Sequence, residues 1–304
     1  MERLETTVEA AADRKRLDRF LADLRPEISR SEIQRQIGDG RVTIAGDVVR
    51  RAAHRVRADD EIAWEIPDEK GLSPAEIPLT VLFEDESLVA VDKPIGLVVH
   101  PGAGTAETTL VEALLASRTL PESDDPARPG IVHRLDKGTS GIIVVAKTAN
   151  ALASLQEQFA GRSVSKTYVA AVAGTIEEDE GVIDAPIGRD PARPSRMAIV
   201  PTGRPAQTEF QVLERLGDRT LLLAHPRTGR THQIRTHFQY IKHPVIGDDT
   251  YGGPAAERML LHAWRLTLRH PSTGQILKLE APVPSAFPDF PYESLPWRRM
   301  PEIA

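Results

Sequence analysis

The chain is predicted to be a strand-rich fold of mixed strands and helices, with short strands outnumbering short helices and a small separate module at its start. Three observations predict this. Apolar positions alternate, or run unbroken for a few residues, in many short stretches closed by Gly, Pro or Asp, which is the pattern of strands. Helical spacing of apolar residues appears only in isolated short stretches. A polar stretch, 67–78, with Pro67, Gly71, Pro74 and Pro78, interrupts both patterns and reads as a linker.

The 304 residues suffice for one small and one larger domain. The composition, 40% hydrophobic and 27% charged, is that of a globular protein. With no cysteine, disulfides, thiolate metal sites and a cysteine nucleophile are excluded, which suits a reducing cytosol. Met1 to Ala12 is acidic and lacks a basic-then-apolar signal layout, and no apolar run has the length of a membrane span. A cytoplasmic protein away from membranes is expected. The net charge of -6 argues mildly against a nucleic-acid binder, but its distribution matters more. Between Arg14 and Arg57, twelve basic residues face six acidic ones, leaving that segment at +6.

Leu17, Phe20, Leu21 and Leu24 fall at i, i+3, i+4 and i+7, so a helix with one apolar stripe is expected there, ended by Pro26. Ser29 and Glu32 have capping-box spacing before a second helix carrying Ile33 and Ile37, stopped by Gly38 and Gly40. Arg41 to Ala45 reads as a strand, Gly46-Asp47 as a hairpin turn, Val48-Val49 as the return, and Glu61 to Ile66 as a further strand. Two short helices followed by small basic strands resemble the alpha-L RNA-binding module first described in a small-subunit ribosomal protein. That resemblance would turn Arg30, Arg35 and Arg41 toward RNA phosphates.

Beyond the linker, Val81 to Phe83 and Leu88 to Val91 are expected strands, and Lys93-Pro94 with Gly96 a turn. His100-Pro101-Gly102-Ala103-Gly104-Thr105 precedes a helix bearing Leu110, Val111, Leu114 and Leu115, and its amides could meet a phosphate. No lysine follows in Walker spacing, which argues against a triphosphate loop. Pro121 to Gly130 is an exposed loop. Leu152, Leu155 and Phe159 mark a helix closed by Gly161, and Lys166 to Val172 a strand. Residues 184–206 read as an irregular basic excursion. Thr208 to Leu213 and Thr220 to Ala224 are strands joined at Gly217-Asp218. Ile234, Phe238 and Ile241 share a helix face, with Thr231 as its cap, Arg235 at its rim and Pro244 past its end. Leu261 to Leu268 and Gln275 to Leu279 form a hairpin, and the tail beyond Ala281 is expected to wrap the surface without a core of its own.

Chemistry concentrates in Ile131-Val132-His133-Arg134-Leu135-Asp136-Lys137-Gly138-Thr139-Ser140-Gly141, followed at once by the apolar run Ile142 to Ala146. A carboxylate between two cations, on a tight loop against a buried strand, is held well enough to react. The same residues would equally serve as a solvated turn. Other motifs fail. His232 and His237 are five apart, without the zincin Glu, which argues against a metal site. Ser163-Val164-Ser165-Lys166 lacks the Ser-Asp-Asn partner of a beta-lactamase.

His133 to Gly141 is similar, position by position, to the signature of the RluA/RluD family of pseudouridine synthases. The resemblance extends to Asp92-Lys93-Pro94, Val99 to Gly104, Lys166-Thr167-Tyr168, Gly229 to Arg235, His243-Pro244 through Gly247-Asp248, and Tyr251-Gly252-Gly253. It implies an α+β fold, a bent, mostly antiparallel mixed sheet with flanking helices, a topology the strand-rich pattern is compatible with but does not give. It implies domains at 14–66 (alpha-L RNA-binding), 79–285 (catalytic) and a tail at 286–304 after the 67–78 linker. The module and the His-Pro-Gly-Ala-Gly loop look most like the RluD branch, which acts on large-subunit (23S) ribosomal RNA.

The implied reaction breaks the N1–C1′ bond of uridine, turns the base and rejoins it through C5. Nothing is oxidised or added, so no cofactor and no metal is expected. By family position Asp136 is the acting carboxylate, at ribose C1′, at uracil C6 or as a base at C2′. Arg235 is its salt-bridge partner, with a bidentate fork available. Tyr168 stacks on the flipped uracil, Ile234 packs on the same base, Arg134 fills the gap left in the RNA, and Arg230 with the helix start at Thr231 meets phosphate. His133 reads first as a core histidine satisfied by backbone, and Thr139 and Ser140 as loop-fixing side chains bonded to backbone. The expected partner is RNA, large-subunit rRNA or a pre-ribosomal particle ahead of tRNA, and the expected state is a monomer. A non-catalytic RNA-binding assembly factor on the same fold is the competing reading; a glycoside hydrolase, which wants two carboxylates, ranks below both.

Overall fold

The computed structural model describes residues 2–28, 30–66, 72–101 and 107–298, in two compact units, 2–66 and 72–298. The proposed cap Ser29 and the glycine loop at 102–105 lie outside the described residues. No helix among those described is long and apolar enough to cross a membrane.

In the first unit, helices α1 (Leu17–Leu24) and α2 (Arg30–Gly38) pack on strands β1 (Glu2–Thr7), β2 (Val42–Ile44), β3 (Asp47–Val48) and β4 (Glu61–Ile66), an antiparallel sheet in the order β1-β4-β2-β3. Leu17, Leu21, Ile33, Ile37, Val42 and Trp64 are fully buried together. Each contributes about 1.5–3 kcal/mol by leaving water. Leu24 departs from the expected stripe and is 39% exposed, at the helix end. The hairpin turn sits one residue earlier than expected. Ala45 (φ 51) and Gly46 (φ 86) form it, because Ile44 pairs with Asp47 and a two-residue turn matching strand twist needs positive φ at both positions. Strand β1 was not legible: its partner β4 lies more than fifty residues away.

The second unit is built on one sheet. Its strands are β5 (Thr80–Glu84), β6 (Leu88–Lys93), β7 (Ser140–Ala146), β8 (Ser165–Ala173), β9 (Glu180–Asp184), β12 (Gln207–Arg215), β13 (Arg219–Pro226), β14 (Leu261–Arg269) and β15 (Ile276–Glu280). The order is β5-β6-β7-β14-β8-β13-β12-β9, with β15 beside β14. Only β7 and β14 run parallel, through His262 opposite Ser140 and Ala263 opposite Gly141. Residues 184–206 are more regular than expected: β10 (Ile187–Arg189) and β11 (Met197–Ile199) pair as a small separate hairpin.

All of β7 is buried because both sheet faces are covered. Ile142 and Val144 meet Leu152 and Leu155 of α4 (Ala149–Ala160). Ile143 and Val145 meet Leu110 and Leu114 of α3 (Leu110–Leu115) on the other face. A capping box starts α3: Glu112 N donates to Thr109 Oγ1 and Thr109 N to Glu112 Oε2. This contributes about 1 kcal/mol. Helix α5 (Gln233–Tyr240) sets Ile234 and Phe238 against Ala170 and Leu222. Leu72 and Ile77, inside the expected linker, pack beside Leu110, because apolar residues interrupt that polar stretch. The tail adds to the core rather than only wrapping it: Phe287 and Tyr292 are buried near Trp264.

Candidate active site

The loop before β7 is tied down from below. Lys93, fully buried, donates its ammonium to the carbonyls of Pro94 and Leu97, both at 2.9 Å, and reaches Lys137 O at 3.5 Å. Burial pushes its pKa down to about 8, against the pull of Asp136. Gly96 N donates to Lys137 O and Thr139 N to Asp136 O. Ser140 does not bond backbone as expected: its hydroxyl joins His262 Nδ1, on β14, and the guanidinium of Arg258, which lies just before that strand. Thr139 Oγ1 has no hydrogen-bond partner among the described residues.

Asp136 emerges from this loop half-buried, facing α5. Arg235 Nη1 donates to Asp136 Oδ2 at 3.2 Å. The bidentate fork expected for that pair goes elsewhere. Arg235 Nε and Nη2 donate to the two oxygens of Asp248, at 2.6 and 2.9 Å. Nor is Arg235 at a rim; it is buried. Burial lowers its pKa, but the bonds to Asp248 and the charges of both carboxylates raise it further, so it stays a cation. The helix start also differs from expectation. Thr231 is exposed and the N-cap is His232, at φ 55, whose Nδ1 meets the Tyr251 hydroxyl at 3.0 Å. The approach to α5 is organised instead by Gln233, whose Oε1 accepts from Thr228 Oγ1 and Arg230 N.

Asp136, Tyr168, Ile234 and Arg235 line one cavity of about 610 Å³, and His133, Arg134 and Arg230 line it too. Burial, then the charge of Asp136, raises the Tyr168 pKa, so its hydroxyl keeps its proton. His133 Nε2 accepts from Val144 N at 2.9 Å and its ring stacks on Phe159. Burial, then the charge of Lys166, lowers its pKa to about 3, leaving a neutral ring that props the wall. Arg134 is exposed, with no ion pair among the described residues. Arg230 Nε donates to Pro205 O at 3.1 Å.

Sequence reading missed several lining cations: Arg162, Lys166, Arg204 and Arg227. Arg227 is paired with Glu209, but Arg162 and Arg204 carry no ion pair among the described residues. Lys166 donates to Thr228 O, and burial with the charge of Arg162 lowers its pKa to about 8. Arg162, held at φ 59 just past α4, takes a conformation that costs an L-residue about 1 kcal/mol. No sequence signal ties these side chains together, because they come from separate elements. Asp136 is the one carboxylate among the described lining residues. Among the described residues no group of three or more His, Asp, Glu or Cys side chains could hold a metal ion.

The N-terminal arginines are placed in the first unit. Arg30 is pinned to fully buried Asp18, which also takes Arg16 and Gln34. Arg35 pairs with Glu32. Arg41 makes no side-chain bond among the described residues.

A cationic cavity with one carboxylate, an aromatic wall and a buried guanidinium is suited to an enzyme that handles one nucleotide of a polyanion. Residues 87–240 match the family profile described as RNA pseudouridylate synthase, and residues 15–62 match the S4 domain. The chain belongs to the RNA pseudouridylate synthase family, and so is an isomerase that makes pseudouridine from uridine in RNA. It is 44% identical over 282 residues to ribosomal large subunit pseudouridine synthase D of Nitrosomonas europaea, covering 88% of this chain and 81% of that protein. It is 39% identical over 290 residues to an uncharacterized RNA pseudouridine synthase of Bacillus subtilis, covering 93% and 95%. Among solved structures, human RNA pseudouridylate synthase domain containing 1 superposes with a TM-score of 0.55 at 28% identity, covering 67% of this chain and 83% of that one.

Proposed function

We propose that the chain isomerises specific uridines of large-subunit ribosomal RNA, using Asp136 as the acting carboxylate on a nucleotide swung out of its stack. The observation that carries this is the convergence of Asp136, Tyr168 and Arg235 on one cavity that Arg134, Arg162 and Arg204 border without an ion pair among the described residues. Several relatives are named for the large subunit, which supports that choice of RNA. Extruding a base costs a few kcal/mol. Arg134, exposed and without an ion pair among the described residues, offers a flat cation to stack where the base was. Tyr168 and Ile234 would close on the two sides of the uracil, and Arg162, Lys166, Arg204 and Arg230 would take the flanking phosphates. The neutral Tyr168 hydroxyl is suited to donating a hydrogen bond to the detached base. The isomerisation is redox-neutral and adds nothing, so the reading includes no cofactor; it also includes a monomer working in the cytoplasm.

The organisation proposed is an RNA-binding domain at 14–66, a catalytic domain at 79–285 and a tail at 286–304. The first unit has its own closed core, which supports a separable role. Mapping pseudouridine in ribosomal RNA from cells with and without the protein tests the function: one or more large-subunit sites should revert to uridine. An unchanged map would favour an RNA-binding assembly factor instead. Removing residues 1–66 is expected to lower RNA affinity and flatten its salt dependence by about one to two units of log–log slope, since each lost phosphate contact removes about 0.7–0.9. Filter binding across a salt titration measures this, and an unaltered slope would refute the module's part in RNA binding.

A further inference from the structure

Arg235 is the most constrained cation in the site, and what constrains it is not Asp136. Asp248 is 2% exposed and accepts four N–H groups: Arg235 Nε at 2.6 Å and Nη2 at 2.9 Å, Thr250 N at 3.1 Å and Tyr251 N at 3.3 Å. The turn that carries it has little freedom. A Cβ on Gly253 would stand 1.9 Å from Val245 O, and one on Gly247 would stand 2.1 Å from Arg258 O. The Tyr251 ring lies 5.0 Å from Arg235 Cζ, with its hydroxyl held by Met197 N and His232. Two of the three guanidinium nitrogens are therefore committed before Asp136 is reached. Nη1 alone remains for it, and Asp136 Oδ1 accepts no hydrogen bond from a described residue.

We propose that Asp248 is a positioning residue for the isomerisation: it captures the fork of Arg235, so that Asp136 receives a single N–H and keeps its other oxygen free for the nucleotide. A guanidinium released from Asp248 would turn its fork onto Asp136, the nearest remaining carboxylate, and occupy both oxygens. It would also place its whole charge on Asp136 instead of dividing it between two anions. This rests on the reading of Asp136 as the acting carboxylate.

The test compares Asp248→Asn, Asp248→Glu and Asp136→Asn in steady-state assays on an RNA substrate. In Asp248→Asn an amide NH2 replaces one acceptor and the charge is gone. Its kcat is expected to fall about ten- to hundredfold, with KM for RNA within about threefold. Asp248→Glu keeps the charge but displaces the fork by a methylene. Its kcat should drop about tenfold, again with KM for RNA within about threefold. A folded Asp248→Asn enzyme with wild-type kcat overturns the proposal. Should that variant fail to fold, wild-type kcat in Asp248→Glu overturns it equally. Asp136→Asn separates the two layers. If it turns over normally, the site reading itself has failed; if it is inactive while both Asp248 variants behave as wild type, only the positioning role has.

Discussion

Asp136→Asn is expected to lower pseudouridine formation by a factor on the order of 10³ or more while leaving RNA affinity within a few-fold. The side chains are isosteric, so the loop need not move. The charge is what changes. An amide can neither attack carbon nor accept a proton as a carboxylate does, and no other acid lines the cavity among the described residues to take over. The fold should survive, because Arg235 keeps its fork on Asp248 and loses only the 3.2 Å bond. RNA binding should survive as well, since the cations that meet phosphate are untouched. Pseudouridine counted in a transcript after a long incubation, beside anisotropy binding curves, gives both readouts. Turnover within tenfold of wild type would remove Asp136 from the chemistry, and with it the proposed function of the cavity.

Gly141→Ala should destabilise the second unit by at least about 3 kcal/mol, a large share of the stability of an ordinary domain. Gly141 sits at φ +110, where an L side chain is strained. The added Cβ would also stand 2.2 Å from Ala263 O and 2.7 Å from its N and C atoms. These are backbone atoms of β14, so no side chain can swing away. Relief would mean separating β7 from β14 at their parallel junction, in the middle of the sheet. Urea unfolding followed by far-UV circular dichroism measures the loss. A midpoint within experimental error of wild type would show that the junction yields, and that the loop of Asp136 is held by other contacts.

The two predictions concern one motif, and they differ in how far sequence could reach. Asp136 was legible because a carboxylate, turn glycines and an unbroken apolar run are neighbours in the chain. Five of the seven buried residues of β7, Ile142 to Ala146, followed from that run. Gly141 was visible as a turn residue but not as a seam, because Ala263 lies 122 residues further on. The fork of Arg235 was assigned to Asp136 by family resemblance and belongs to Asp248, since a fork can be shared or captured only when both carboxylates are in place. Arg162 was not singled out, and Arg204 was read only as part of the basic excursion at 184–206. Nothing in their local pattern distinguishes a cation over a cavity from one in open water. Arg30 was read as facing RNA phosphate, and its tie to buried Asp18, on the preceding helix, was not visible in the sequence.

Local order decided what sequence alone could determine: the positions of most helices and strands, the apolar faces of α1, α2 and α5, the loop that carries Asp136, and the motif set that marks the family. These depend on spacing of a few residues, over which backbone geometry dictates which side chains share a face. Tertiary structure alone decided the sheet order, the single parallel pairing at its centre, the cations gathered around the cavity, and the division of Arg235 between two carboxylates. Those depend on distances between residues far apart in the chain, and a charge's partner is whichever opposite charge the folded backbone brings within about 3 Å.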